Sequence, residues 1–134
     1  MDAYLQRGLV YFEQEKHAEA VADCNKIIEL DPTLAIAYDV RGDAHFALKK
    51  FPEAIADFTK AIELDPKDKG AYSDRGSVYS RLEKYAEAIA DFTKAIELDP
   101  KDATNYDNRG KAYKALGKTK EAEEDFAKAK ALEN

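Results

Sequence analysis

Two histidines, one cysteine and 27 carboxylates are the side chains from which this 134-residue sequence could build a metal site or an acid–base pair. A metal site needs several ligands at set spacings. His17, His45 and Cys24 show no recognised metal spacing. The carboxylates are mostly spaced as solvated helix faces, not as a catalytic pair. No G-x-x-x-x-G-K-[ST] phosphate loop and no nucleophile elbow is present. The chain is therefore not expected to be an enzyme, and no cofactor or metal is expected. What does recur is arginine together with aspartate. Arg7, Arg41, Arg75 and Arg109 are spaced 34 apart, and so are Asp23, Asp57, Asp91 and Asp125. A guanidinium fork can hold a carboxylate bidentately, and a buried arginine needs such a partner. The expectation is a structural Arg–Asp ladder, paired within a repeat or between neighbours. The rival reading is four solvated arginines that hold a ligand.

The same step governs the rest of the chain. Tyr4, Tyr38, Tyr72 and Tyr106 keep it, as do Gly8, Gly42, Gly76 and Gly110. So do Ala20, Ala54, Ala88 and Ala122, and prolines follow it at Pro32, Pro66 and Pro100. Cys24, Phe58, Phe92 and Phe126 share one further place. The stretch EAIADFTKAIELDPKD occurs verbatim at 53–68 and at 87–102. The repeats are 1–34, 35–68, 69–102 and 103–134. This pattern resembles the tetratricopeptide repeat (TPR) family, whose signature is W-x2-L-G-x2-Y, then A-x3-F, then P. The third repeat supplies Tyr72, Arg75, Gly76, Tyr79, Ala88, Phe92 and Pro100. Two departures recur: tyrosine replaces tryptophan, and arginine replaces leucine before the glycine.

These positions must be carried by helices. Tyr72, Gly76 and Tyr79 share one helix face, and Ala88, Phe92 and Ala95 repeat that spacing. RLEKY (81–85) reads as the turn between them. In LDPKD the proline ends the second helix, because it has no amide hydrogen to donate. Eight helices are expected, near 2–14, 18–30, 36–48, 52–64, 70–82, 86–98, 104–116 and 120–132. A single pair cannot bury its apolar face, but stacked pairs can. The expected fold is all-α: a right-handed superhelical solenoid of four antiparallel helix-turn-helix repeats forming one domain, 1–134.

The last repeat carries Glu123, Glu124 and Lys130 where earlier repeats have Val, Ile or Ala. Those charges predict a polar C-terminal end to the array. At the other end Gln14 replaces Leu48, Leu82 and Leu116, which suggests a cap. Leu5, Leu9 and Phe12 nevertheless leave the first helix apolar. That surface supports an alternative role in self-association, as a weak homodimer or through helix exchange. The verbatim copies also fit a third reading, an engineered or recently duplicated array without a selected ligand.

The TPR resemblance implies a concave groove lined by first helices, commonly holding an extended peptide or a partner's helix. It implies a non-catalytic adaptor or scaffold. Its groove positions fall on Leu5, Leu9, Phe12 and Glu13 in the first repeat. They fall on Ile36, Asp39, Asp43 and Phe46 in the second, and on Ser73, Asp74, Ser77, Ser80 and Arg81 in the third. Asp107, Asn108, Lys111 and Lys114 occupy them in the fourth. The variation between repeats lies in these first helices, while the second helices of repeats two and three are identical over the 16-residue stretch. The expected partner is a protein or peptide with an apolar anchor near Leu9, Phe12 and Phe46 and a basic group near Asp39, Asp43 and Asp74. An acidic group would sit near Lys111 and Lys114. One family subtype clamps the C-terminal carboxylate of Hsp70 or Hsp90 with lysines, asparagines and an arginine. The residues at those places here are Leu5, Leu9, Val40, Gly70 and Asp74, or Asp39, Asp43, Asp74, Thr104 and Asn108. Neither register matches.

Net charge of −6 argues against nucleic acid, which requires clustered Lys and Arg. No apolar run reaches the roughly 18 residues of a membrane span. No signal peptide is visible, and Cys24 alone cannot close a disulfide. A cytoplasmic monomer or weak homodimer is the expectation.

Overall fold

The computed structural model describes residues 3–134, with side chains from Gln14 onward. The described chain is seven helices with no strand. They are α1 (Ala3–Leu30), α2 (Ala35–Ala47), α3 (Phe51–Leu64), α4 (Lys69–Arg81), α5 (Tyr85–Leu98), α6 (Ala103–Ala115) and α7 (Thr119–Glu133). They divide into two compact bodies, Met1–Leu64 and Asp65–Asn134. In the first, α1 packs on α2 and α2 on α3; in the second, α4 packs on α5, α5 on α6 and α6 on α7.

Each pair closes on one repeated contact. The Phe58 ring lies against Gly42, Phe92 against Gly76, and Phe126 against Gly110. A Cβ on these glycines would stand 2.8, 2.8 and 2.7 Å from the ring edge. A mid-helix glycine costs about 1 kcal/mol of helix propensity relative to alanine. Here it admits an aromatic ring to the helix backbone. Ala54, Ala61, Ala88 and Ala95 surround these contacts and are fully buried. In the second body, Ile96, Tyr106 and Ala129 join neighbouring pairs into one cluster.

The turns inside the pairs have one design. Lys49, Glu83 and Gly117 adopt φ of 61°, 60° and 78°. The next residue's N–H returns to a carbonyl five residues back: Lys50 to His45 at 2.8 Å, Lys84 to Tyr79 at 2.8 Å, Lys118 to Tyr113 at 2.9 Å. The residue before it bonds to Phe46, Ser80 or Lys114. This is the Schellman way of satisfying the last helical carbonyls. Between pairs, Asp31, Asp65 and Asp99 each accept the N–H two residues on, at 3.0–3.2 Å. Asp68 and Asp102 then cap α4 and α6.

Two expectations are corrected. The first repeat does not form separate helices at 2–14 and 18–30; α1 runs through both, so seven helices replace eight. Gln14, Glu15, Lys16 and His17 stand where the second repeat has Leu48, Lys49, Lys50 and Phe51. The apolar residue that ends the other first helices, Leu48, Leu82 or Leu116, is missing, and Gln, Glu and Lys propagate a helix well. The second correction concerns Glu124. Ala56 and Ala90, its equivalents, are themselves exposed, so that place is not packed and a charge there marks no lost interface. Glu123 and Lys130 are exposed where Ile89 is half-buried and Ile96 is buried.

Candidate binding faces

The geometry brings the repeated arginines and aspartates together within the second, third and fourth repeats. Arg41 donates through Nε and Nη2 to Asp57 at 2.9 and 2.6 Å. Arg75 does so to Asp91 at 2.8 and 2.7 Å, and Arg109 to Asp125 at 2.8 and 2.7 Å. The aspartates are buried, at 4–5 % exposure. The hydrogen bond to its aspartate raises each arginine's pKa, against the opposing cost of desolvation. Tyrosines stack on the guanidinium: Tyr72 and Tyr79 each 5.9 Å from Arg75, and Tyr106 and Tyr113 at 5.7 and 5.8 Å from Arg109. In the second repeat Tyr38 lies 5.5 Å from Arg41, and His45 takes the place of the other ring. His45 Nε2 lies 3.7 Å from Asp57, and its buried Nδ1 has no hydrogen-bond partner among the described residues. Arg7, the fourth arginine, lies outside the described side chains, and Asp23 is exposed. Cys24 is buried, and that burial pushes its thiol pKa up.

A third bond ties the Arg41 and Arg109 pairs to the preceding repeat. Arg41 Nη1 donates to Asn25 at 2.9 Å, and Arg109 Nη1 to Thr93 at 3.2 Å. The guanidinium thus joins three helices: its own, the second helix of its pair, and the second helix of the pair before.

In the first body the groove places fall on α2. Asp39 is half-buried, while Asp43, Ile36 and Val40 are exposed. Phe46 is half-buried, with its ring 5.9 Å from that of Phe51 at the start of α3. Leu5, Leu9 and Phe12, the rest of the expected apolar anchor, lie outside the described side chains.

In the second body α4 and α6 lie side by side. Ser73 Oγ donates to Asn105 Oδ1 at 2.5 Å across them. Ser77 Oγ donates to the Ser73 carbonyl at 3.1 Å. Both hydroxyl protons are therefore engaged inside the body, which leaves oxygen lone pairs for a ligand. Asp74, Asp107 and Asn108 are half-buried, and Arg81, Lys111 and Lys114 are exposed. Lys111 already faces Asp107 at 3.1 Å, one helical turn away.

Sequence reasoning missed Asn105. It is 2 % exposed, at a place filled by Ala37 and Ala71 in other repeats. A polar residue replacing alanine in one aligned copy was the signal. Among the described residues no cluster of three or more His, Cys, Asp or Glu could hold a metal ion. No described helix is long and apolar enough to cross a membrane.

Comparison with known proteins bears on this arrangement. Tetratricopeptide repeat family models match residues 2–34 and 70–102, and a further one matches 92–124. A TPR repeat model matches 42–83. No curated protein matches the sequence. Among solved structures, MamA is similar with a TM-score of 0.85 and 32% identity, over 87% of this chain and 68% of that one. The second TPR of Spaghetti (RPAP3), bound to the HSP90 peptide SRMEEVD, is similar with a TM-score of 0.71 and 35% identity, over 73% and 91%. The Arabidopsis OM64 TPR domain is similar with a TM-score of 0.72 and 31% identity, over 74% and 82%.

Proposed function

Because the chain belongs to the tetratricopeptide repeat family, we infer that it is a non-catalytic interaction module. It acts as an adaptor or scaffold that receives a peptide or helix of a partner protein on the first helices of its pairs. The reading takes residues 1–134 as one domain of four repeats. The observation that carries it is where variation meets solvent. The second helices α3 and α5, verbatim from Glu53 and Glu87 onward, hold the buried alanines and phenylalanines. The first helices differ between repeats, and their differing residues, Asp43, Arg81, Lys111 and Lys114, are exposed. A similar structure holds an acidic peptide, SRMEEVD. Here Asp39 and Asp43 occupy α2, so the ligand charge favoured at that helix is basic. Phe46, Ile36 and Val40 supply apolar contact beside those acids.

The Arg–Asp pairs belong to the scaffold in this reading. The forks of Arg41, Arg75 and Arg109 are each filled by their own aspartate, so they are not presented to a ligand.

Fluorescence anisotropy with a basic–apolar peptide set and with SRMEEVD tests the reading. The basic–apolar peptides should bind more tightly. Asp43→Lys should weaken them by about tenfold, since a charge reversal at a steered contact costs roughly 1.4 kcal/mol. Equal affinity of wild type and variant for every peptide would sink the proposal.

A further inference from the structure

In three repeats the second helix buries the same places against the first helix of its own pair. Ala61, Ala95 and Ala129 are at most 4 % exposed. Their equivalent on α1, Ile27, is 43 % exposed although it is larger and more apolar. Leu30 is 88 % exposed where Leu64, Leu98 and Leu132 are half-buried. Asp23 is exposed where Asp57, Asp91 and Asp125 are buried under arginine. One face of α1 therefore carries the residues of a pair interface and lies open at Asp23, Ile27 and Leu30, while Cys24 between them is buried. Five of the six large exposed hydrophobics among the described residues, Ile27, Leu30, Leu34, Ile36 and Val40, belong to this body, so the apolar surface is concentrated there.

The repeat pattern says what should cover that face. It is a first helix, and residues 3–14 have the sequence of one. Tyr4, Arg7, Gly8 and Tyr11 stand at the places of Tyr72, Arg75, Gly76 and Tyr79. Yet in α1 these residues continue the same helix. A segment that prolongs a helix cannot also lie antiparallel beside it.

We propose that residues 3–14 of a second copy dock on this face, in a reciprocal exchange that makes a two-fold symmetric dimer. The same two elements serve on both copies, so the exchange closes on itself. By repeat register Arg7 of the second copy takes the arginine place opposite Asp23, and Leu5 takes the place of Ser73 opposite Ala37, itself at the place of Asn105. That apolar match replaces the polar one seen between α4 and α6. A chain turning back on itself at 14–17 would make the same contacts, so the hinge selects between the two. Gln14, Glu15, Lys16 and His17 favour the straight helix. Gln14, Glu15 and Ala18 pass the α2–α3 turn at a cleft shared with Leu48 and Lys50.

Sedimentation of the full chain from micromolar to near-millimolar concentration tests this. A concentration-dependent dimer is expected, and a strict monomer overturns the proposal. Arg7→Asp and Asp23→Arg should each weaken dimerisation at least about a hundredfold, because each puts like charges together in a buried pair. Circular dichroism of each variant checks that it remains helical. An equimolar mixture should dimerise again, since both exchanged contacts then regain opposite charges. Intrachain fold-back allows no such rescue, so a wild-type dimer without rescue in the mixture overturns the exchange. Gln14→Leu with Glu15→Gly restores the turn and should give a monomer; an unchanged dimer overturns the hinge argument and the proposal with it. Peptide binding is read separately, by the anisotropy of wild type against Asp43→Lys on α2, so failure here leaves the groove reading standing.

Discussion

The side chain that does most in each repeat is the arginine beside the glycine. Arg75 spends two N–H groups on Asp91 and lies between two tyrosine faces. Asp91 is nearly inaccessible, so neither charge can be removed alone without stranding the other. Asp91→Ala should cost about 3 kcal/mol in urea unfolding, the scale for breaking a buried pair. Arg75→Leu combined with Asp91→Leu should recover most of that loss, because two apolar groups leave no stranded charge. A double variant as unstable as Asp91→Ala would mean that the pair stabilises beyond its own desolvation. This pairing was legible in the sequence because both residue types recur in all four copies. Its direction was not, since spacing alone cannot separate a bond within a repeat from one between neighbours. Asn105 was hidden for the opposite reason: it occurs once, and a pattern built on recurrence passes over a residue that departs from it.

At the scale of the element, the turns decide the helix count. Lys49 and Glu83 sit at φ near +60° without being glycine, at a cost on the order of 1 kcal/mol each. Lys49→Gly keeps the turn and removes that strain, so it should raise stability by about 0.5–1 kcal/mol in chemical denaturation. Gly117, at φ 78°, shows the residue the turn prefers. A neutral or destabilised Lys49→Gly would show that the turn is held by something other than backbone conformation. The helices α2 to α7 were legible because apolar spacing and turn residues agree along all of them. The continuity of α1 was not. Its first half keeps the tyrosine and glycine places of a separate helix, so periodicity predicts a break. The break depends instead on the residue that ends the first helix, where Gln14 lacks the apolar side chain of Leu48, Leu82 and Leu116.

For the whole molecule, repeats act through neighbours, so local stability follows how many sides of a helix are covered. Helix α5 packs on both α4 and α6. The second half of α1 packs on α2 and leaves its pair face open, with Ile27 and Leu30 in solvent. Amide hydrogen exchange should therefore be slowest in α5 and α6 and faster in residues 18–30. If a second copy supplies the missing helix, protection in residues 18–30 and in α2 rises with protein concentration, while that of α5 and α6 stays constant. Binding adds RT ln(1 + [L]/Kd) to the stability of whatever it covers, so the rise should begin near the dimerisation constant found by sedimentation. Uniform protection at every concentration would show that the exposed face of α1 is a stable surface in its own right. A rise confined to α4 and α6 would place self-association on the first helices of the second body and overturn the exchange.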